Sequence, residues 1–575
     1  MVMKGGITSG VVYPLAITEL ARKYRFRNIG GTSAGAIAAS LAAAAEHGRV
    51  SAGGGFLRLA ELPQVMAHDL VRLFQPSPGG RPAFAVLLAC LGPKSKGRKL
   101  LGALSAILAG HPVALLGGGA AGALVYLGLL RLFAGRATHW SFLLLAALVL
   151  AGGILAAAAR FAIGVRKALE ENGFGLCSGA SAGVRSGVRP LSEWLADTLD
   201  RTAGKTDPAV PLTFRDLWGS DPDAAIDARK RRINLEMMTS NLMHGRPQRL
   251  PFETRIFHWR PSDFEDLFPA RIVTWMLDHS EAVADEEHWD LRKLPDSADL
   301  PVVVAARLSL SFPLLLSAVP LYTVDRAQPS NRALEKAGRP PRFEPCWFSD
   351  GGLGSNFPVH FFDALLPSRP TFGINLRGFP KEFPRTQVEC DNVRFPTKPG
   401  QEVLPELRRF AGLGGFLLAI VNLMHNWVDS MQTRLPGYRD RVVHVHIDAN
   451  EGGLNLDMPA PLVERLSERG WCAGRTLTRD FDWDLHRWVR YRTAMAALQK
   501  QLGAMADRFE HDEPTYAEFL ATYGPDAAHY HLGNATDALA RASALLALSG
   551  TWPSKLFRDA NVPRPEPELR VMPRT

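Results

Sequence analysis

At 575 residues with a formal net charge of +9, the chain is long enough for a large core and roughly two to four domain-sized units. The excess of base suits an anionic membrane surface as well as nucleic acid, and without a long Lys/Arg run it gives nucleic acid no support. The five cysteines, Cys90, Cys177, Cys346, Cys390 and Cys472, include no CxxC pair, which indicates neither a zinc site nor a disulfide framework and points to a reduced, cytosol-facing compartment.

The N-terminus, MVMKGGITSG, lacks the long apolar segment of a signal peptide. Residues 4–14 form a glycine-rich loop, KGGITSGVVYP, that leads into a helical pattern over 15–24. Such a loop after a strand presents backbone N–H groups to a phosphate or an oxyanion, but the GxxxxGK[ST] spacing of a P-loop is absent. Only residues 1–3 remain for the preceding strand, so that strand is either very short or begins upstream of Met1.

A second short strand, residues 26–29, runs into Gly30-Gly31-Thr32-Ser33-Ala34-Gly35 and then an alanine-rich helix. Gly31 and Gly35, on either side of Ser33, permit a turn sharp enough to expose the hydroxyl. The free N–H groups and positive dipole end of the following helix lie near that hydroxyl and suit a developing oxyanion. An ordinary small-residue turn before a helix is the plain alternative.

After helical patches over 48–99, two runs carry no Asp, Glu, Lys or Arg: 100–130 and 140–159. Each is long enough to cross a hydrocarbon layer of about 30 Å, which takes roughly 20 apolar residues. Lying side by side across a short linker, they are expected to form a membrane hairpin, with a pair of buried core helices as the alternative. His111-Pro112 kinks the first run or marks its start, and the GxxxG spacing of Gly118 and Gly122 would let the helices approach closely. Lys94, Lys96, Arg98 and Lys99 precede the hairpin and Arg160, Arg166 and Lys167 follow it, against Arg131 and Arg136 in the connecting loop. The positive-inside rule puts both ends, and with them the soluble parts, on the cytoplasmic side.

Soluble α/β patterning resumes with a helix over 191–199 and strand-like residues 232–241. Residues 347–352 close an apolar run on Asp350, followed by Gly351, Gly352 and, shortly after, Asn356. An aspartate ending a strand is well placed to act as a base, although the same residues also form turns. Further strands are expected over 372–376 and 442–447, and helices over 410–431 and 483–505. His511, His529 and His531 lack HExxH spacing or cysteine partners, so no metal site is expected.

The glycine-rich N-terminal loop, GTSAG at Ser33 and the Asp350-Gly351-Gly352 triplet, in that order, resemble the patatin-like phospholipase family. Residues 212–219, 306–309 and Asn356 add to the likeness, which covers 1–376 with the hairpin as an insertion. The resemblance implies an α/β fold: a three-layer α/β/α domain with a central, mostly parallel sheet. It further implies a Ser/Asp dyad, without histidine, that hydrolyses acyl esters through an acyl-enzyme. Ser33 would be the nucleophile and Asp350 the general base, with the N–H groups of Gly5, Gly6 and Ala34 as the oxyanion hole. The expected partners are a phospholipid or other acyl lipid and the bilayer, with no nucleic acid, cofactor or metal.

The loop departs from the family's GGGx[KR]G in carrying Ile7 and Ser9. The expected organisation is a first part of the patatin-like domain over 1–99, the hairpin over 100–163, the second part over 164–460 and a mainly helical region over 461–575. Two alternatives stay open: a Ser/His/Asp triad drawing on His360, His425 or His444, and an inactive membrane scaffold that binds lipid or a partner.

Overall fold

The computed structural model describes residues 1–6, 8–91, 96–132, 139–180, 189–283, 289–380, 383–396, 412–448, 451–453, 455–511, 513–523, 535–566 and 569. The strands are β1 (Val2–Met3), β2 (Asn28–Gly31), β3 (Gly175–Cys177), β4 (Asn234–Asn241), β5 (Arg246–Leu250), β6 (His258–Trp259), β7 (Arg292–Lys293), β8 (Leu314–Leu316), β9 (Val319–Val324), β10 (Phe343–Asp350), β11 (Gly373–Arg377), β12 (Val393–Arg394) and β13 (Val442–His446). The helices that matter below are α1 (Tyr13–Ala21), α2 (Ala34–His47), α3 (Gly55–Asp69), α4 (Arg81–Cys90), α5 (Lys96–Gly110), α6 (Pro112–Leu132), α7 (His139–Glu171), α8 (Leu191–Thr202), α9 (Val302–Leu310), α10 (Gly412–Gln432) and α11 (Ala460–Asp480).

One sheet runs β12-β13-β11-β1-β2-β4-β10-β9-β6-β7, with β5 paired to β4, and β3 and β8 form a separate pair. Strands β13, β11, β1, β2 and β4 are mutually parallel. Beyond β4 the pairing turns antiparallel, through β10, β9, β6 and β7. The sheet is therefore mixed, which corrects the expectation of a mostly parallel one. Parallel neighbours need a crossover connection, and that pattern stops where β4 turns straight back into β5.

Successive residues of β1 face opposite layers, as strand geometry requires. Met3 enters the main core, whereas Val2 packs with Phe357, Val359 and Val442 on the other face. The main core includes the inner faces of α1, α2 and α11. In α2 the sequence AGAIAASLAAAAEH combines the strongest intrinsic helix former with side chains small enough for almost the whole helix to be buried. Helix α11, which the sequence groups with the C-terminal region, contributes Leu462, Val463, Leu466 and Ala473 to this same core.

Helices α6 and α7 are each long and apolar enough to cross a membrane, with mean hydropathies of 2.0 and 2.6, and only 11% of each stretch is buried. Leu116, Leu124, Leu143 and Leu155 point outward, which excludes the alternative of two buried core helices. Pro112 opens α6 and the preceding apolar residues belong to α5, so His111-Pro112 divides the first run. The expected close approach at the GxxxG spacing is present: a Cβ on Gly118 would lie 2.3 Å from Gly152 O, and one on Gly122 2.2 Å from Leu148 O.

A disulfide joins Cys390 to Cys472 across 82 residues of sequence, with Cα atoms 5.3 Å apart. This corrects the expectation of unpaired cysteines: the pairing arises from docking of α11 beside the 389–392 turn, which no spacing rule signals. Cys90, Cys177 and Cys346 are free.

The hairpin contact is testable. Gly122→Ile is expected to force α6 from α7 and to lower the thermal-aggregation midpoint in detergent micelles by several degrees. Gly128→Ile, at a position with nothing within 4 Å, should leave the midpoint unchanged.

Candidate active site

The site is built where two strands meet end to end. Met237 of β4 pairs with Gly31 of β2 and with Leu250 of β5, and Thr239 pairs with Asp350 of β10 and with Gln248 of β5. Because β5 occupies one side of β4, β2 and β10 share the other and run toward each other. Their ends, Gly31 and Asp350, are separated along β4 by Met238 alone.

Past Gly31 the chain turns abruptly into α2. Ser33 sits at the turn with φ 56° and ψ −132°, a conformation that costs a non-glycine residue on the order of 1–3 kcal/mol and concentrates at functional sites. The turn is closed by Gly35 N–H donating to Thr32 O (2.9 Å) and Ala36 N–H to Ser33 O (2.8 Å). It is too tight for a side chain at Gly31, whose Cβ would lie 2.2 Å from Gly35 O. From the far side, Ser33 N–H donates to Ser309 Oγ of α9 at 3.2 Å.

Asp350 is buried and held at three atoms. Its N–H donates to Ser311 O (2.9 Å), its carbonyl accepts from Ser240 Oγ (2.9 Å), and Oδ1 accepts from Gly352 N–H (2.6 Å). Oδ2 is buried without a hydrogen-bond partner among the described residues. Burial is the largest influence on the carboxyl and pushes its pKa up to about 7, against the opposing pulls of the Ser33 hydroxyl and the Gly352 N–H. The hydroxyl is thus close enough to favour the carboxylate without meeting Oδ2 in full hydrogen-bond geometry. Catalytic pairs commonly rest this way and tighten with substrate.

Of the three backbone N–H groups expected to face an oxyanion, those of Gly6 and Ala34 have no acceptor among the described residues. Gly5 N–H is donated to Asn356 O at 2.8 Å, so, against the expectation, it is engaged within the protein and not offered to an oxyanion. Only glycine fits there, because a Cβ would lie 2.1 Å from Asn356 Oδ1 and 2.9 Å from Ser33 Cβ. Ile7 lies outside the described residues.

No protein-family model matches the chain. It is 36% identical to the RpoH suppressor of Rhizobium meliloti (strain 1021) over 644 aligned positions, covering 100% of this chain and 98% of that protein. The chain belongs to that protein's family.

In this member of the RpoH suppressor family three buried charged groups hold the site's loops. Asp429, on α10, accepts from Ser355 Oγ (2.6 Å) and Asn356 N–H (2.9 Å), fixing the residue whose carbonyl holds Gly5. Arg469, on α11, binds Glu451 through two bonds of 2.6 and 3.1 Å and Glu389 at 2.5 Å. The segment after Glu451 in turn receives Thr8 N–H at Gly453 O (3.2 Å). Arg307, fully buried on α9, donates to Ser311 Oγ (2.7 Å), Ser178 O (2.8 Å) and Ser317 O (2.9 Å), and Ser311 is the acceptor for Asp350 N–H. Ser309, Arg307 and Asn356 lay in stretches the sequence singled out, but Asp429 is remote from every motif.

Neither His360 nor His444 completes the pair. His360 Nδ1 is bonded to Gln432 Oε1 (3.1 Å) and His444 Nδ1 to Asn375 Nδ2 (3.1 Å), and neither is bonded to Ser33 or Asp350. The side chains of His425, His511, His529 and His531 lie outside the described residues.

The Asp350 carboxyl links the site to stability. Its folded-state pKa lies above its unfolded one, so protonation favours the native state. The contribution is complete below about pH 4 and is lost as pH rises through about 7. Asp350→Asn is therefore expected to be more stable than the wild type at pH 8 by up to on the order of 4 kcal/mol, and to lose that advantage near pH 4. Chemical denaturation at both pH values reads this out, and a destabilised variant at pH 8 contradicts it.

Proposed function

We propose that this protein is a membrane-anchored serine acyl hydrolase of the patatin-like, phospholipase A type, working through a Ser33/Asp350 dyad. The observation that carries the reading is the strained Ser33 at a strand-to-helix turn, close enough to influence the buried Asp350 carboxyl, whose Oδ2 has no partner among the described residues. A serine hydroxyl is a weak nucleophile until a base takes its proton. Asp350 Oδ2 is that base: with a pKa near 7 it accepts the proton as Ser33 Oγ attacks the ester carbonyl. It then returns the proton to the departing alkoxide, leaving an acyl-enzyme. Water, deprotonated by the same oxygen, releases the acid. The Gly6 and Ala34 N–H groups, with the positive end of α2, stabilise the tetrahedral oxyanion. The engaged histidines, His360 and His444, favour the dyad over a triad.

Two exposed apolar helices supply the anchor, and the basic residues flanking them favour a cytoplasmic location for both ends. The Cys390–Cys472 disulfide favours the opposite side. Exposed Cys90 on α4 decides between them: in intact cells a membrane-impermeant maleimide is expected to label it only after lysis.

The dyad is tested with a soluble acyl ester and the purified protein. Ser33→Ala and Asp350→Asn are each expected to lose about 10³-fold or more in kcat/KM, and a fluorophosphonate should label Ser33 in the wild type alone. The wild-type rate should rise with pH through about 7 as Asp350 ionises. Full activity in both variants would falsify the assignment.

A further inference from the structure

An apolar cavity opens beside the elbow, and among the described residues no charged side chain lines it. One wall is a stripe of α2, Ala34, Ile37, Ala38 and Leu41, at the i, i+3, i+4, i+7 spacing of a single helix face. The facing wall comes from α3 and the turn after it, from Leu59 and Leu62 to Leu73 and Phe74.

The two ends of the cavity differ. Ala34, Leu73, Phe74 and Leu310 belong to an apolar cluster that continues through Phe84, Leu87 and Leu88 of α4 to Phe161, Val165 and Leu169 of α7. Ala38, Leu41, Leu59 and Leu62 belong instead to the main core beneath the sheet. One end therefore adjoins the nucleophile on the side of the apolar hairpin, and the other is closed by packed core. From Ala34 to Leu41 the stripe is roughly 10 Å long at 1.5 Å per residue.

We propose that this cavity is the acyl-chain site of the enzyme. The inference rests on the hydrolase reading above. The ester carbonyl sits between Ser33 and the Ala34 N–H, and the hydrocarbon chain runs along the α2 stripe toward Leu41 and Leu62. One helix then sets both the chemistry and the chain length: its N-terminus holds the carbonyl, and the depth to Leu41 and Leu62 fixes how long a chain is accepted. The continuity with α4 and the base of α7 gives such a chain apolar surface all the way from the hairpin, where a polar substrate would find no partner.

The experiment uses the full-length protein in detergent micelles with p-nitrophenyl acetate and p-nitrophenyl decanoate. Ala38→Leu narrows the stripe midway and is expected to lower kcat/KM for decanoate roughly tenfold or more while acetate changes by less than about twofold. Leu62→Ala deepens the closed end and is expected to shift preference from decanoate toward p-nitrophenyl palmitate. Equal loss on acetate and decanoate in Ala38→Leu, with unchanged preference in Leu62→Ala, overturns the site. A wild type that cleaves neither ester removes the hydrolase reading. The cavity is then judged by binding of a fluorescent dodecanoate, expected to weaken roughly tenfold in Ala38→Leu, and unchanged affinity rejects it.

Discussion

Everything at this site depends on two strands sharing one side of β4 from opposite directions. β2 arrives parallel and stops at Gly31, β10 arrives antiparallel and stops at Asp350, and Met238 is the only β4 residue between their partners. Thr239 stitches the junction, its hydroxyl bonded to Ser349 O (2.9 Å) and Leu308 O (3.1 Å). A strand's side chains alternate between faces, so a one-residue slip of β10 would turn the Asp350 carboxyl to the opposite face. The register of β10 is thus as much a part of the site as the carboxylate itself.

Around this junction the protein uses buried charges as clamps. Asp429 holds Asn356, whose carbonyl holds Gly5; Arg469 and Glu451 brace the segment that receives Thr8; Arg307 fixes Ser311, which receives the Asp350 N–H. Burying such groups is costly unless their hydrogen bonds are satisfied, and each makes several, although Arg307 Nε has no partner among the described residues. Burial acts differently on Asp350, whose Oδ2 has no partner among the described residues. A carboxyl that burial pushes up to about 7 and that weakens the fold once ionised is poorly explained by structural need, and the proton transfer proposed above would account for it.

The hairpin is inserted in the sequence between Ser33 and Asp350, yet it is tied to both. Helix α7 leads into β3, whose neighbour Ser178 offers its carbonyl to Arg307 (2.8 Å), and Arg307 reaches Asp350 through Ser311. On the Ser33 side, the apolar cluster that includes Ala34 reaches Leu169 of α7. The insertion is therefore packed into the site's surroundings and cannot be treated as an appended anchor.

Local signals in the sequence determined the elements: glycines around Ser33 for a sharp turn, an alanine run for α2, an apolar run closing on Asp350, long uncharged stretches for α6 and α7 with glycines at their contact. Each reflects chemistry within a few residues, so a linear reading captures it. The antiparallel half of the sheet, the disulfide, the bond that engages the Gly5 N–H and the clamp at Asp429 were decided only by tertiary structure. They join residues tens to hundreds of positions apart, where side-chain type carries no record of its partner. The pKa of Asp350 belongs with them, because the sequence places a carboxylate at the end of a strand, but only the packed site removes its water.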